Sequence, residues 1–313
     1  MKEKEEEYKP LLDRDRVTLQ VNQNLSGHIE LIQDVTNYGT LLIPRCLVSS
    51  TRTLKDLIVI AVLLRQIVAM LDAMEVLISK GAVYASNLPL RAIFEAAVYV
   101  RWILDSDGES KATCYYVRNL RRQRAWADRV LPGTDEAQEF GDFPRFIATE
   151  VKAEEVRKAA REQKEAIDKH LSRPKYAAIN EQFTQLAGRR RREVSWYAPL
   201  GIKSFKAIAR EVGKIREYIV IYGGGSEAMH ASDYKQHLKI GDGEVAFEPI
   251  RHLEGFSAVF NFALSIVFDA YRRILREYRP GESTLFDKKY VEKWRSTFLS
   301  LPQINYEYEY VRI

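Results

Sequence analysis

Leu57-Ile-Val-Ile-Ala-Val-Leu-Leu-Arg65-Gln66-Ile-Val-Ala-Met-Leu-Asp72-Ala-Met-Glu75-Val-Leu-Ile78 is the most apolar stretch of the chain, and its reading decides the fold. It is long enough to cross a bilayer, which takes about 20 apolar residues. Arg65, Gln66, Asp72 and Glu75 fall inside it, however, and charges at that depth are costly in hydrocarbon. A helix buried on most sides, with its polar residues gathered on one narrow stripe, accounts for the same residues. The stretch therefore reads as a core helix from about Thr53 to Lys80, stopped by Gly81 as a C-cap. No membrane association is expected.

The next helix starts near Asn87, with Pro89 in its first turn, and runs through Ile93, Phe94, Val98, Trp102 and Leu104 to pair with the first. A basic helix from Glu109 to Leu131 follows and ends at Pro132-Gly133. Ala153 to Leu171 is mostly charged residues and alanine with opposite charges at helical spacing, which reads as a solvated helix projecting from the body. A short helix after Pro174 and another from Ser204 to Tyr222 lead to Gly223-Gly224-Gly225. Three glycines cost a helix roughly 3 kcal/mol against alanine, so either the chain bends there or something approaches too closely for a Cβ.

Upstream, Leu19 to Val35 reads as an amphipathic surface helix and Asn37 to Pro44 as its connection onward. Downstream, Leu238 to Phe247 around Gly241-Asp242-Gly243 is the one plausible β-hairpin. His252 to Tyr278 is a long amphipathic helix, and a shorter one surrounds Val291 to Leu299. Gln303 to Ile313 alternates apolar and polar residues, as an edge strand or partner-docking tail would. The expected fold is all-α: a helical bundle with a charged helical excursion and at most one small β-hairpin. It reads as a single domain over 1–313, with an N-terminal helix and connection at 9–50, a core pair and basic helix at 51–131, the excursion at 150–173 and a site segment with C-terminal helices at 203–300.

Composition narrows the function. With 46% hydrophobic and 29% charged residues among 313, the chain buries a substantial core. Its formal net charge of +5 suits a polyanionic partner without requiring one. Two cysteines, Cys46 and Cys114, stand far apart with no metal-ligand spacing, so neither a disulfide framework nor a zinc site is expected, and a reducing cytoplasm is the expected compartment. Met1 to Tyr8 is a Lys/Glu run unlike a secretory signal. The phosphate loop, dinucleotide fingerprint, His-Glu-x-x-His and Gly-x-Ser-x-Gly patterns do not occur, which argues against nucleotide hydrolysis, zinc proteolysis and α/β-hydrolase chemistry. No cofactor and no metal are expected.

Three groups of residues carry candidate chemistry. Arg91 and Glu95, four apart, leave one helix face together, either as a structural ion pair or as a pair reaching inward. Tyr218, Tyr222, Ser226 and His230 recur at intervals of four and would form one stripe if the helix continued through the glycines. Otherwise Ser226 caps a new helix and the tyrosines pack. His237 lies seven residues beyond His230, and without a carboxylate set the two histidines make a poor metal site. Arg118, Arg121, Arg122, Arg124 and Arg129 interleave with Tyr115, Tyr116 and Trp126, the composition that follows a phosphate backbone and stacks bases; Arg189 to Arg192 add a second basic run. The alternative is a charged face balanced by Asp135, Glu136, Glu139 and Asp142.

Leu88-Pro-Leu-Arg91-Ala-Ile-Phe-Glu95, Trp196-Tyr197 and Tyr218-x-x-x-Tyr222-x-x-x-Ser226-Glu227-x-x-His230-Ala231-Ser232 resemble an uncharacterised helical bacterial family, domain of unknown function 5677, over roughly residues 50 to 240. That family looks like a distant relative of the HEPN helical bundles, whose active members are metal-independent ribonucleases of toxin and anti-phage systems acting as paired subunits. The resemblance implies an RNA- or nucleotide-binding protein, homodimeric, with metal-independent cleavage as its expected chemistry. The arginine that precedes the histidine in those ribonucleases is replaced here by Gly223, Gly224 and Gly225. Arg91 would have to reach across to stabilise the phosphate while His230 moves the proton and Glu95 orients either. Tyr218, Tyr222, Ser226, Arg118, Arg121, Arg122 and Trp126 would hold the substrate. A non-catalytic scaffold, or an anion pocket anchored on Arg91 and walled by Tyr218 and Tyr222, fits the same residues.

Overall fold

The computed structural model describes residues 11–48, 56–141, 150–188, 193–230, 237–241 and 244–304. The Arg189–Arg192 run, Ala231-Ser232, the Asp242-Gly243 turn and nearly all of the tyrosine-rich tail lie outside them. The protein is all-α, with a single two-stranded sheet among the described residues. It divides into two compact units, one built from 1–104 and 209–313 and the other from 105–208.

The first unit opens with α1 (Arg14–Asn24) and α2 (Ser26–Val48), followed by α3 (Leu57–Ser79) and α4 (Asn87–Asp105). In α3, Val59, Ile60, Leu63, Leu64, Ile67, Val68, Leu71, Met74 and Ile78 are buried while Arg65, Gln66 and Asp72 are exposed. The polar stripe thus faces outward, as the spacing requires. No described helix is long and apolar enough to cross a membrane. Gly81 ends α3 as expected, at φ +69°, with its N–H on the Ile78 carbonyl and that of Ala82 on Leu77.

The N-terminal boundaries differ from expectation. The chain breaks at Leu25, and α2 then continues through the supposed connection, carrying Pro44 inside the helix. Its buried stripe, Leu31, Ile32, Val35, Leu42 and Cys46, spans that region. Core burial outweighs the hydrogen bond lost to proline so close to the helix end. A Cβ on Gly39 would lie 2.0 Å from the hydroxyl of Tyr271 and 2.6 Å from Val68 Cγ2. Close helix packing is why glycine sits there. Cys46 and Cys114 are free and buried, and burial pushes each thiol up to about 11, so neither is poised as a thiolate.

After α9 (Phe205–Glu211), the site segment runs as α10 (Ile215–Glu217), a π-helical turn (Tyr218–Tyr222) and α11 (Gly223–His230). Strands β1 (Leu238–Gly241) and β2 (Glu244–Phe247) form the expected hairpin, Leu238 opposite Phe247 and Gly241 opposite Glu244. Then come α12 (Phe256–Tyr278), α13 (Ser283–Lys289), a π turn (Tyr290–Trp294) and α14 (Arg295–Leu299). Phe268, Phe286 and Trp294 interlock beneath Tyr38.

The second unit contains α5 (Gly108–Asp128), α6 (Asp135–Phe140), α7 (Glu150–Leu171) and α8 (Pro174–Ala187). The charged helix α7 is packed rather than projecting. Ala153, Ala160, Ile167 and Leu171 are buried, the last two in a cluster with Val117, Leu120 and Phe183. Its buried stripe recurs at intervals of seven, seven and four residues, narrow enough to vanish among the charges.

Candidate functional site

The site is built on α4 and the segment from Tyr218 to Gly225. Arg91 and Glu95 point from the same face of α4, and Arg91 Nε donates to Glu95 Oε1 at 3.2 Å. The guanidinium lies over the ring of Tyr222, 3.8 Å from its centroid, a cation–π contact at close range. Tyr222 stacks in turn on Tyr218, with centroids 4.8 Å apart and planes 16° from parallel. Guanidinium and two phenols thus form a layered stack. Both tyrosines belong to the π turn, the kind of helical irregularity that concentrates at functional sites.

The glycines do not break the helix, and the structure divides their roles. A Cβ on Gly223 or Gly224 would meet nothing within 4 Å, whereas one on Gly225 would lie 2.8 Å from Arg91 Cβ, 3.1 Å from Arg91 Cδ and 3.2 Å from the Asn87 carbonyl oxygen. Gly225 is where α11 presses against α4 and holds the arginine stem. The Arg91 side chain is 14% exposed, its Nη1 is buried, and Nη1 has no hydrogen-bond partner among the described residues. With Nε given to Glu95 and one face to Tyr222, this N–H edge is the unspent donor of the site.

Upstream, Trp102 Nε1 donates to Glu211 Oε1 at 2.8 Å, tying α4 to the end of α9. Burial raises the Glu217 carboxyl, but Lys214, bonded at 2.8 Å, and Arg101 hold it below the usual range.

Ser226 and His230 are not members of this stack. Ser226 lies inside the continuous helix, not at a cap. His230 is exposed at the last turn of α11 and makes no hydrogen bond, ion pair or ring contact with a described residue. From Gly225 it is five residues on, roughly 7.5 Å along the axis and about 140° around it. It stands about one and a half turns beyond the residue that presses on Arg91. The ring of His237 packs edge-on to Tyr84, with centroids 4.9 Å apart.

The arginine face of α5 is largely consumed inside its own unit. Arg118 bonds Glu193 and the Val194 carbonyl. Arg121 donates to Asn180 Oδ1 at 2.6 Å and Thr184 Oγ1 at 3.1 Å, and Arg124 pairs with Asp168 at 2.9 Å. Burial, then Arg124 and Arg118, push the Arg121 guanidinium below its usual value. Partners on neighbouring segments balance these charges. Arg122 and Trp126 remain exposed, with the Arg129 guanidinium 4.3 Å from the Trp126 ring centroid.

One further cluster escaped the sequence reading. Glu248, His252 and Glu254 each offer a ligand atom within 4.8 Å of the others. The spacing Glu-x-x-x-His-x-Glu is visible in the sequence, but it falls in a loop without helical periodicity to place the three side chains together.

Residues 57–245 match the model of a family of unknown function, DUF5677, and the chain belongs to that family. The matched region includes Arg91, Glu95 and the whole Tyr218–His230 segment. No curated protein and no solved structure matches the chain.

Proposed function

We propose that the protein binds an anionic ligand at Arg91, and that the ligand is a nucleotide or a stretch of RNA. The observation that carries this reading is the buried Nη1 of Arg91, unpaired among the described residues while the guanidinium is held by Glu95 and Tyr222. A buried donor left without an acceptor costs about 1–3 kcal/mol. A phosphate oxygen is the acceptor that best recovers the loss, because charge-assisted bonds to guanidinium are the strong ones. The Tyr218–Tyr222 stack supplies the aromatic surface on which a base rests. A homodimer remains part of this proposal.

The test is fluorescence anisotropy with labelled single-stranded RNA, competed by a nucleoside monophosphate and by inorganic phosphate. Replacing Arg91 by Ala removes a bond worth about 1.5–3 kcal/mol, so affinity falls at least tenfold; Arg91→Lys, which keeps charge but loses the fork, recovers only part of it. Wild-type protein that binds none of the three, or Arg91→Ala that binds as well as wild type, sinks the reading.

Metal-independent RNA cleavage is the second reading. His230 is sterically available to a strand, but its separation from Arg91 favours binding over catalysis. Cleavage that persists in chelator and disappears in His230→Ala, leaving 2′,3′-cyclic phosphate ends, would reverse that preference.

A further inference from the structure

We infer that Glu248, His252 and Glu254 form a binding site for a divalent transition-metal ion such as Zn²⁺ or Mn²⁺. Glu248 Oε2 and His252 Nε2 are 3.5 Å apart. That is longer than a normal N–H···O hydrogen bond. It is close to the separation of about 3.4 Å between two ligand atoms each bound about 2.1 Å from a tetrahedral ion. The Glu254 carboxylate closes the group within 4.8 Å. One imidazole with two carboxylates is a donor set for Zn²⁺, Mn²⁺ or Fe²⁺, and the nitrogen ligand disfavours Ca²⁺ and Mg²⁺. Three protein ligands leave a fourth position for water or a ligand atom.

The loop that carries them is held in place independently of any ion. Glu248 N–H donates to the His237 carbonyl at 2.9 Å, and Ile250 N–H to Leu11 at 2.8 Å. His252 forms a parallel bridge with Ala82, directly after the Gly81 cap of α3. Leu253, between His252 and Glu254, is fully buried. The Glu248 and His252 side chains are only 5% and 11% exposed, so the pair is fixed by its surroundings, as a metal site requires. A bound ion would tie together the two ends of the segment after β2, whose His252 already bridges Ala82 through its backbone.

The experiment uses the full chain, stripped with chelator and desalted, then titrated calorimetrically with ZnCl₂ and MnCl₂, with MgCl₂ as control. Expected are one ion per chain at micromolar affinity or tighter and a rise in Tm with Zn²⁺. Affinity should fall at least tenfold in Glu248→Gln and in His252→Asn. Glu254→Gln, at the less buried edge of the group, weakens binding with the fold intact, so it stands should the buried variants fail to fold. A Co²⁺-loaded chain should give the visible absorption of a low-coordinate nitrogen–oxygen site, abolished in His252→Asn. The inference is overturned if neither Zn²⁺ nor Mn²⁺ binds saturably, or if binding is undiminished in Glu254→Gln and His252→Asn.

Discussion

Trp294→Ala should destabilise the first unit by about 3–5 kcal/mol, the usual cost of deleting a large buried ring. Trp294 is 1% exposed. Its ring stacks on Phe268 at 5.5 Å and meets Phe286 and Tyr38 edge-on at 5.6 Å, while Nε1 donates to Asp34 Oδ2 at 2.7 Å. One side chain therefore joins α2, α12, α13 and the second π turn. Against a total stability of about 5–15 kcal/mol, the loss is a large fraction and should lower Tm by roughly 6–20 °C. Trp294→Phe keeps most of the packing and removes the bond to Asp34, which retains Lys289 at 3.2 Å, so its cost should be about 1–2 kcal/mol. Thermal and denaturant melts of both variants check the order. Equal losses would mean that the indole N–H, not the ring, holds the cluster.

What the sequence disclosed follows from how local the governing physics is. The α3 and α4 helices, the Gly81 cap and the hairpin were legible because periodicity and turn chemistry act within a few residues. The α2 boundary was misread because proline is a local signal, and the burial of Leu42 and Cys46 that overrides it is not. The α7 stripe was hidden by its width. In the site, Arg91, Glu95, Tyr218 and Tyr222 were picked out and do meet. Their arrangement depends on the π turn, which no spacing rule announces, and His230 takes no part in it. The arginines of α5 looked available because Asn180, Asp168 and Glu193 lie 44 to 75 residues further along the chain. The Glu248–His252–Glu254 group was missed because its geometry comes from the bridge to Ala82, far away in sequence.

The glycine triplet gives the sharpest test of the site, because three identical residues in a row should respond in opposite directions. Gly223→Ala and Gly224→Ala place a methyl in open space and remove backbone freedom from the unfolded chain, so each should stabilise by about 0.5–1 kcal/mol. Gly225→Ala gains the same propensity but drives a methyl against Arg91 Cβ and the Asn87 carbonyl, contacts at 2.8 and 3.2 Å that have backbone and stem behind them. Overpacking of this kind costs about 1–3 kcal/mol, so the net effect is a loss of up to about 2 kcal/mol. The larger consequence is functional. Relief of the clash moves α11 away from α4, and Tyr222 travels with α11, so the guanidinium loses the ring against which it is set. Ligand affinity should then fall at least tenfold in Gly225→Ala and stay within about twofold of wild type in the other two, since a loss of about 1.4 kcal/mol in binding is tenfold. Melting curves and RNA anisotropy on the three variants read both effects. A Gly225→Ala protein as stable and as well liganded as Gly223→Ala would show that α11 does not sit against Arg91, and the stack would lose its place as the binding site.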